Sequence, residues 1–311
     1  YGINKYRVLG HSFYGGSLIM KTLFITPHLS TGGLPQYLVQ QVEKKLADGE
    51  EVWIVEWNNI APVYRVQKDK LKELLQDRLV DWPQGTGESV KIAGAVSCIK
   101  TVAPDVVHLE EFPEGFLPKE LINWIYDRVI SYRIIETTHD SAFLLSKKST
   151  RPDKFEFVSS FHKELFKDFG VYIEVVPYEY EGKDRFVKED LLKELTLDPE
   201  CKHVLNVGLF TPGKNQGAAM EVARKMLDEK VVFHFVGNQA GNFADYWQPL
   251  MEKLPPNCVI WGERQDVEKF YSCMDLLLFT SKSELMPLVP IEALEYNMPV
   301  LMYKDEKYSE R

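Results

Sequence analysis

Cysteine, positive charge and long apolar runs are all scarce in this sequence of 311 residues. Its four cysteines are scattered, with no CxxC pair and no histidine at metal-ligand spacing, so the sequence indicates neither a disulfide framework nor a zinc site. A net charge of −9 without any basic run argues against a nucleic-acid partner. No apolar stretch approaches the roughly 18 residues that cross a bilayer as a helix.

What remains is a composition that suits two domains of ordinary size, because 45% of the residues are hydrophobic and 12% are aromatic. We predict a cytoplasmic protein with reduced cysteines, and we leave open whether it lies peripherally on a membrane. Residues 1–19 show neither a helical nor a strand period and no apolar core like that of a signal peptide. We therefore treat them as an extension of unknown role.

Apolar strand patterns alternate with helical patterns along the chain. Helices are expected, among other places, over residues 69–79 and 119–130, each between two short apolar runs. This alternation predicts parallel, doubly wound sheets. We expect one such domain over residues 20–178, a polar linker over 179–199 and a second domain over 200–311.

Three glutamates, Glu110, Glu111 and Glu114, follow the predicted strand Asp105–Leu109. The carboxyl ends of parallel strands are where α/β folds bind ligands, so these side chains are placed to contact a polyol acceptor. Acidic loops are more often simply solvated, and we expect that of at least two of the three.

The most informative part of the chain lies between residues 275 and 300. Leu276–Phe279 predicts a buried strand, and Leu288–Tyr296 predicts a short helix that Pro287 opens. A helix in this position directs free backbone N–H groups and the positive end of its dipole into the ligand-binding crevice. An anion such as a diphosphate suits that place.

Two carboxylates flank this predicted anion site. Glu284 precedes the helix, and Glu292 lies in its second turn. Carboxylates repel phosphate but accept hydrogen bonds from sugar hydroxyls, so a nucleotide sugar would suit both features. The alternative is an ordinary amphipathic helix whose glutamates are merely solvated.

Glu284 and Glu292, separated by seven residues and followed by Ala-Leu and a Pro-Val strand, resemble the donor-site motif of retaining glycosyltransferases. These enzymes have the GT-B fold, and the similarity is greatest to glycosyltransferase family 4. The resemblance implies that Glu284 meets the donor hexose and that Glu292 holds the ribose hydroxyls. It also implies that backbone amides over residues 285–288, ending at Leu288, hold the diphosphate.

A pair of glycines, Gly32 and Gly33, lies between the first predicted strand and the first helix. Without a Cβ, such a loop lets a ligand approach the backbone closely, although a tight turn alone would also explain it. The pattern is not the GxGxxG of dinucleotide-binding domains. The resemblance implies a Gly-Gly loop beside the donor phosphate and the acceptor.

His139 follows another predicted strand and precedes Asp140. A neutral imidazole at a strand end can give or take a hydrogen bond at physiological pH, and the alternative is a histidine with a purely structural role. The resemblance implies that His139 projects into the cleft beside the transferring sugar.

Lys214 lies in a glycine-containing loop before a helix, where its ammonium group can neutralise a diphosphate. The resemblance implies that Gly237 and Asn238, at the end of the next strand, lie near the donor. It implies a base pocket built from Val236, Gly237, Trp261 and Gly262, although a tryptophan at such a position is more often a core residue than a stacking platform.

The sequence departs from the family pattern at three places. Leu209 stands where the family has an arginine, and Leu285 and Pro287 replace two glycines. Pro287 has no N–H to give to a phosphate, and the second domain is short at its C-terminal end. These departures favour a non-catalytic GT-B-like binding or assembly protein as the alternative to an enzyme. A sugar-nucleotide epimerase or hydrolase on the same plan is a third interpretation.

We therefore predict a GT-B fold with two Rossmann-like α/β domains that face each other across a cleft. The predicted reaction moves a hexose from a nucleoside diphosphate sugar to a hydroxyl of a glycan, lipid-linked or small-molecule acceptor, with retention. No metal and no other cofactor are predicted, because the helix N-terminus and a lysine can hold the diphosphate. The predicted catalytic residues are His139 and Glu284, and the predicted donor-binding residues are Gly32, Gly33, Lys214, Gly237, Asn238, Leu288 and Glu292.

Overall fold

The computed structural model describes residues 19–30, 32–58, 65–140, 143–180, 186–282 and 284–303. Apart from Ile19, the predicted N-terminal extension lies outside these residues. The strands are β1 (Lys21–Thr26), β2 (Glu51–Glu56), β3 (Leu79–Val80), β4 (Val106–Glu110), β5 (Arg133–Thr137), β6 (Lys154–Phe157), β7 (Tyr172–Val175), β8 (Lys202–Val207), β9 (Val231–Val236), β10 (Cys258–Gly262), β11 (Leu276–Phe279) and β12 (Val300–Met302). The α-helices are α1 (Gly33–Ala47), α2 (Val66–Leu75), α3 (Glu88–Val102), α4 (Lys119–Tyr126), α5 (Ser160–Phe166), α6 (Lys188–Glu194), α7 (Gln216–Lys225), α8 (Ala244–Glu252), α9 (Val267–Cys273) and α10 (Leu288–Glu295).

These strands form two parallel sheets, one in each half of the chain. The first sheet has the order β3-β2-β1-β4-β5-β6-β7, and the second has the order β10-β9-β8-β11-β12. Every neighbouring pair is parallel. The interior strand β1 contains a continuous apolar run, Leu23–Ile25, because helices cover both of its faces. Two Rossmann-like α/β domains, the second of them smaller, confirm the predicted fold class.

Residues with a positive φ angle make two of the helices shorter than predicted. Gln76 has φ 55° and ends α2, so the last residue of the predicted helix over 69–79 belongs to β3 instead. Arg128 has φ 49° and lies just beyond α4, so the predicted helix over 119–130 ends four residues early. A residue at positive φ cannot continue a right-handed helix, and neither sequence carries the glycine that usually signals such an end.

A chain of hydrogen-bonded aromatic side chains crosses the second sheet. The Trp261 indole N–H donates to His234 Nδ1 at 3.1 Å, and His234 Nε2 lies 2.9 Å from His203 Nδ1. His203 Nε2 lies 3.0 Å from the Asp198 carbonyl oxygen. Because an indole nitrogen only donates and a carbonyl only accepts, both imidazoles are neutral and carry their proton on Nε2.

These hydrogen-bonded histidines make the stability of the folded protein sensitive to acid. Burial, together with the neighbouring His203, lowers the pKa of His234 to about 4, whereas an unfolded histidine titrates near 6.5. As the pH falls from about 6.5 to about 4, the unfolded chain takes up a proton that folded His234 refuses. The free energy of unfolding should therefore fall by roughly 3 kcal/mol across that window.

Urea denaturation at pH 7.5 and pH 4.5 measures this loss, with His234→Gln as the matched variant. Glutamine can still accept from Trp261 and donate to His203, but it does not titrate. The variant should lose less stability than the wild type between the two pH values. An equal loss in both proteins would show that His234 does not contribute.

Candidate active site

A cleft of about 630 Å³ lies between the two domains, at the carboxyl ends of their strands. Loops that follow β1 and β5 form one wall, and loops that follow β8, β9 and β11 form the other. The residues predicted as catalytic or donor-binding all line this cleft: Gly32, Gly33, His139, Lys214, Gly237, Asn238, Glu284, Leu288 and Glu292. The structure brings these side chains together, and their individual roles stay predictions.

The domains meet along an apolar seam at the base of the cleft. Tyr37, Val158 and Tyr178 from the first domain pack against Leu285 and Leu288 from the second. Leu285 is 4% exposed. The side chain that replaces a family glycine at this position thus packs within the seam.

Two glycines line one wall of the cleft where the ends of β8 and β9 meet. Gly208 has φ +148° and Gly237 has φ +152°, and a Cβ on Gly237 would lie 2.0 Å from the carbonyl oxygen of Gly208. A Cβ on Gly208 would lie 3.5 Å from the side chain of Lys214. The ends of β8 and β9 therefore touch backbone to backbone, and the lysine stem runs across the first glycine.

Lys214 and Glu284 form an ion pair inside the cleft. Lys214 Nζ lies 2.5 Å from Glu284 Oε1, and the two side chains are 32% and 18% exposed. The Thr280 hydroxyl donates to the Lys214 carbonyl at 2.9 Å, which fixes the loop to the end of β11. Each charge faces the cleft and is balanced by the other.

The N-terminus of α10 also points into the cleft. Pro287 is its N-cap, with φ −72°, and Leu288 and Val289 are its first two residues. Pro290 follows and, like Pro287, has no backbone N–H. The amides of Leu288 and Val289 are therefore the donors that the first turn offers to an anion.

Glu292 lies one turn further along α10 and is 8% exposed. It accepts hydrogen bonds from the Tyr271 hydroxyl at 2.6 Å and from Gln36 Nε2 at 3.3 Å. Gln36 belongs to α1 of the first domain, so this carboxyl group joins the two domains. Burial raises its pKa, and the hydrogen bonds oppose that change.

His139 projects from the end of β5 with both ring nitrogens engaged. Nδ1 lies 2.6 Å from the Tyr178 hydroxyl, and Nε2 lies 3.3 Å from Glu110 Oε2. Its backbone N–H donates to Glu111 Oε1 at 2.9 Å. Burial lowers the pKa of His139, so the imidazole is neutral at physiological pH.

The expectation that at least two of the three glutamates after β4 are simply solvated is wrong. Glu110 is fully buried, and Glu111 accepts from the Thr138 hydroxyl as well as from His139. Glu114 is 12% exposed and lies 2.9 Å from the buried ammonium of Lys148. Each carboxyl group has partners in the segment between β5 and β6, which local polarity in the sequence does not reveal.

The predicted base pocket is corrected in part. Val236 and Gly237 line the cleft, but Trp261 and Gly262 do not. Trp261 donates to His234 and packs edge-on against Phe270, so it is a core residue.

The cleft contains an arginine that the sequence pattern did not single out. Arg264, just beyond β10, makes two hydrogen bonds of 2.8 Å to the Asp266 carboxylate. Leu209, which stands where the resembled family has an arginine, lines the cleft without supplying a charge. Lys214, in the loop after β8, also lines the cleft and pairs directly with Glu284.

The described part of the chain has neither a cluster suited to a metal ion nor a helix suited to crossing a membrane. No cluster of three or more His, Cys, Asp or Glu side chains there has the arrangement of a metal site. No helix within it combines the length and apolar character needed to cross a membrane.

Comparison with known proteins gives a family match for part of the chain. Residues 187–310 match the family described as glycosyl transferases group 1, which is less than half of the sequence. A curated relative from Klebsiella pneumoniae, an "uncharacterized 41.2 kDa protein in cps region", is 20% identical over 219 residues. That match covers 63% of this chain and 59% of the relative, so it spans less than two thirds of the relative's length.

Solved structures resemble most of the chain. Anabaena Alr3699/HepE in complex with UDP-glucose has a TM-score of 0.76 at 17% identity, covering 94% of this chain and 82% of that one. A glycosyltransferase from Rickettsia africae has a TM-score of 0.68 at 15% identity, with coverages of 92% and 79%. WaaG, a glycosyltransferase involved in lipopolysaccharide biosynthesis, has a TM-score of 0.64 at 15% identity, with coverages of 90% and 80%. The family match and these neighbours support a glycosyltransferase of the GT-B fold.

Proposed function

We propose that this protein transfers a hexose from a nucleoside diphosphate sugar to an acceptor hydroxyl, with retention at the anomeric carbon and without a metal. The observation that carries the proposal is the shared cleft, in which Lys214, Glu284, Glu292 and the N-terminus of α10 lie on one wall. A neutral imidazole, His139, faces them from the other domain. One site thus offers an ammonium group and backbone N–H groups to phosphate, and carboxylates to sugar hydroxyls.

The diphosphate would lie between the Lys214 ammonium and the Leu288 and Val289 amides. An ammonium group and a helix N-terminus both stabilise negative charge, and this charge grows on the leaving phosphate as the sugar departs. Metal independence rests on this pair of partners. It is tested by measuring transfer with Mg²⁺, with Mn²⁺ and with EDTA, and we expect equal rates.

Donor binding would also rearrange the ion pair. A diphosphate that attracts Lys214 leaves Glu284 Oε1 without its present partner, so that oxygen becomes available to a hydroxyl of the sugar. Lys214 and Glu284 would therefore act in sequence. The phosphate would first bind Lys214, and the freed carboxylate of Glu284 would then accept a hydrogen bond from the hexose. Glu292 would hold the ribose, next to Tyr271 and Gln36.

The donor is best sought first among UDP-sugars, because the Anabaena neighbour is bound to UDP-glucose. Titration calorimetry with UDP-, GDP- and ADP-glucose identifies the base. Product release then separates the alternatives: a hydrolase frees sugar without an acceptor, and an epimerase returns an isomeric nucleotide sugar. Binding without turnover of any kind would favour a non-catalytic binding protein, the interpretation to which Leu209 points.

Replacing Glu292 by glutamine should weaken nucleotide-sugar binding about 10- to 100-fold. The change keeps the shape of the side chain but removes the charge that strengthens hydrogen bonds from the ribose hydroxyls, worth about 1.5–3 kcal/mol. Calorimetric titration of folded protein with UDP-glucose measures the change. Glu295→Gln, on the exposed face of the same helix, is the control and should bind as the wild type does. Equal affinity in both variants would remove Glu292 from the donor site.

A further inference from the structure

We propose that Glu110, His139 and Tyr178 form a hydrogen-bonded relay in which buried Glu110 sets the direction of the Tyr178 hydroxyl in the cleft. Tyr178 is then a further substrate contact, and Glu110 is its positioning residue. The inference rests on the proposed function for the identity of the substrate, but the relay itself is a property of the protein alone.

The relay is visible as two contacts through one imidazole. Glu110 Oε2 lies 3.3 Å from His139 Nε2, and His139 Nδ1 lies 2.6 Å from the Tyr178 hydroxyl. Glu110 is fully buried at the end of β4, whereas Tyr178 is 8% exposed and lines the cleft. The His139 and Tyr178 rings stack with centroids 5.8 Å apart, and Tyr37 packs edge-on against both. Glu110, which has no access to solvent, is thereby connected through His139 to a side chain in the cleft wall.

Two arrangements of protons satisfy these contacts. When Glu110 is ionised, His139 donates from Nε2 to its carboxylate, and Nδ1 accepts from the Tyr178 hydroxyl. When Glu110 is protonated, it donates to Nε2, and the imidazole proton lies on Nδ1 and is donated to the Tyr178 oxygen. The Tyr178 O–H is then released to donate into the cleft. One added proton thus changes the tautomer of His139 and the hydrogen-bonding direction of Tyr178.

The charges around Glu110 allow this change near neutral pH. Burial raises the pKa of Glu110 to about 7; His108 and Lys45 oppose the change, and Glu156 adds to it. His108 lies on the same strand, with Nε2 3.5 Å from Glu110 Oε1. Lys45 belongs to α1 and Glu156 to β6.

The other members of the relay stay uncharged. Burial lowers the pKa of His139, and Glu111 opposes that change. Burial also lowers the pKa of His28, which follows β1, and the nearby His139 lowers it further. Burial raises the pKa of Tyr178, and Glu111, Glu110 and Glu284 act in the same direction. Asp140 follows His139 directly, and its charge raises the pKa of Glu111.

The Tyr178 hydroxyl lies where a substrate oxygen can reach it. A Cβ built on Gly33 would be 3.2 Å from this hydroxyl, so any side chain at this position would crowd the phenol at the cleft wall. A phenol that donates into the cleft selects a neutral or anionic oxygen acceptor, such as a sugar hydroxyl or a phosphate oxygen. For a nucleotide sugar, this gives a contact from the first domain opposite Lys214 and Glu284.

The relay is tested first without any substrate, by NMR of protein labelled with ¹⁵N in histidine. The His139 tautomer should change from Nε2–H to Nδ1–H as the pH falls through about 7. Glu110→Gln has no carboxyl group to titrate at this position, so the His139 tautomer should stay the same at every pH. Glu120→Gln, an exposed glutamate on α4, is the control and should titrate as the wild type does. An unchanged tautomer in the wild type from pH 5.5 to 8.5, or the same titration in Glu110→Gln, would overturn the relay.

The substrate contact is tested by steady-state kinetics with UDP-glucose. Tyr178→Phe should lower kcat/KM about three- to tenfold, as expected for one hydrogen bond, and should remove the limb of the pH profile near 7. This variant keeps the ring, so it remains informative if Glu110→Gln does not fold. An unchanged pH profile in Tyr178→Phe would exclude the contact. If the wild type consumes no nucleotide sugar, the proposed function fails, while the imidazole titration still decides the relay.

Discussion

Replacing Lys214 by methionine should lower the rate of sugar transfer about 100- to 1,000-fold. Lys214 lies in the cleft with the N-terminus of α10 and pairs with Glu284, and Leu209 leaves no second cation in the position where the resembled family has an arginine. Losing one preorganised group that stabilises charge in the transition state typically costs two to three orders of magnitude in rate. Methionine keeps the stem that crosses Gly208, so the loop should retain its shape.

Two observations separate this effect from a general loss of structure. Lys225→Met, on the exposed end of α7, should transfer sugar at the wild-type rate. Glu284 loses its ion-pair partner in Lys214→Met, so thermal denaturation should be measured alongside the rate. A variant that is folded and fully active would exclude Lys214 from the reaction and favour a different cation, such as Arg264.

Gly237→Ala should destabilise the second domain by roughly 3 kcal/mol or more. The new Cβ would lie 2.0 Å from the carbonyl oxygen of Gly208, a backbone atom that cannot rotate away as a side chain can. Residues other than glycine are also strained at φ +152°. Because β8 and β9 meet at this point, relief requires the two strand ends to separate.

Thermal denaturation compares this variant with Gly241→Ala. Gly241 lies only four residues further on, has no positive φ and has open space where the methyl group of alanine would lie, with no atom within 4 Å of it. Its alanine variant should melt close to the wild type, and Gly237→Ala should melt several degrees lower. Equal melting temperatures would mean that the two strand ends move apart at little cost.

The donor side of the site could be predicted from sequence because its information is local. Glu284, Leu288 and Glu292 lie within nine residues, and the strand, loop and helix that carry them follow from apolar runs and one proline. Lys214 and Gly237 each follow an apolar strand closely. In a parallel sheet such positions converge on one edge, so the sequence order is enough to bring them together.

The first-domain side could not be predicted in the same way, because its information lies in contacts between distant strands. Glu110 contacts His139, which follows β5, and its pKa responds to charges on β6 and α1, none of which its own neighbourhood in the sequence reveals. Tyr178 is the last residue of the predicted first domain, yet its hydroxyl contacts a histidine 39 residues away. Trp261, which we expected more often in the core than as a stacking platform, donates to a buried histidine.

The ion pair and the hydrogen bonds of the proposed donor site affect which ligands can bind there. Lys214 is satisfied by Glu284, and Glu292 is satisfied by Tyr271 and Gln36. A ligand therefore gains only the difference between its own contacts and those it displaces. Inorganic phosphate can replace one of these partners but not the others, whereas a whole nucleotide sugar replaces them together. If the proposed function holds, the site should therefore bind a whole nucleotide sugar much more tightly than phosphate or any other fragment of it.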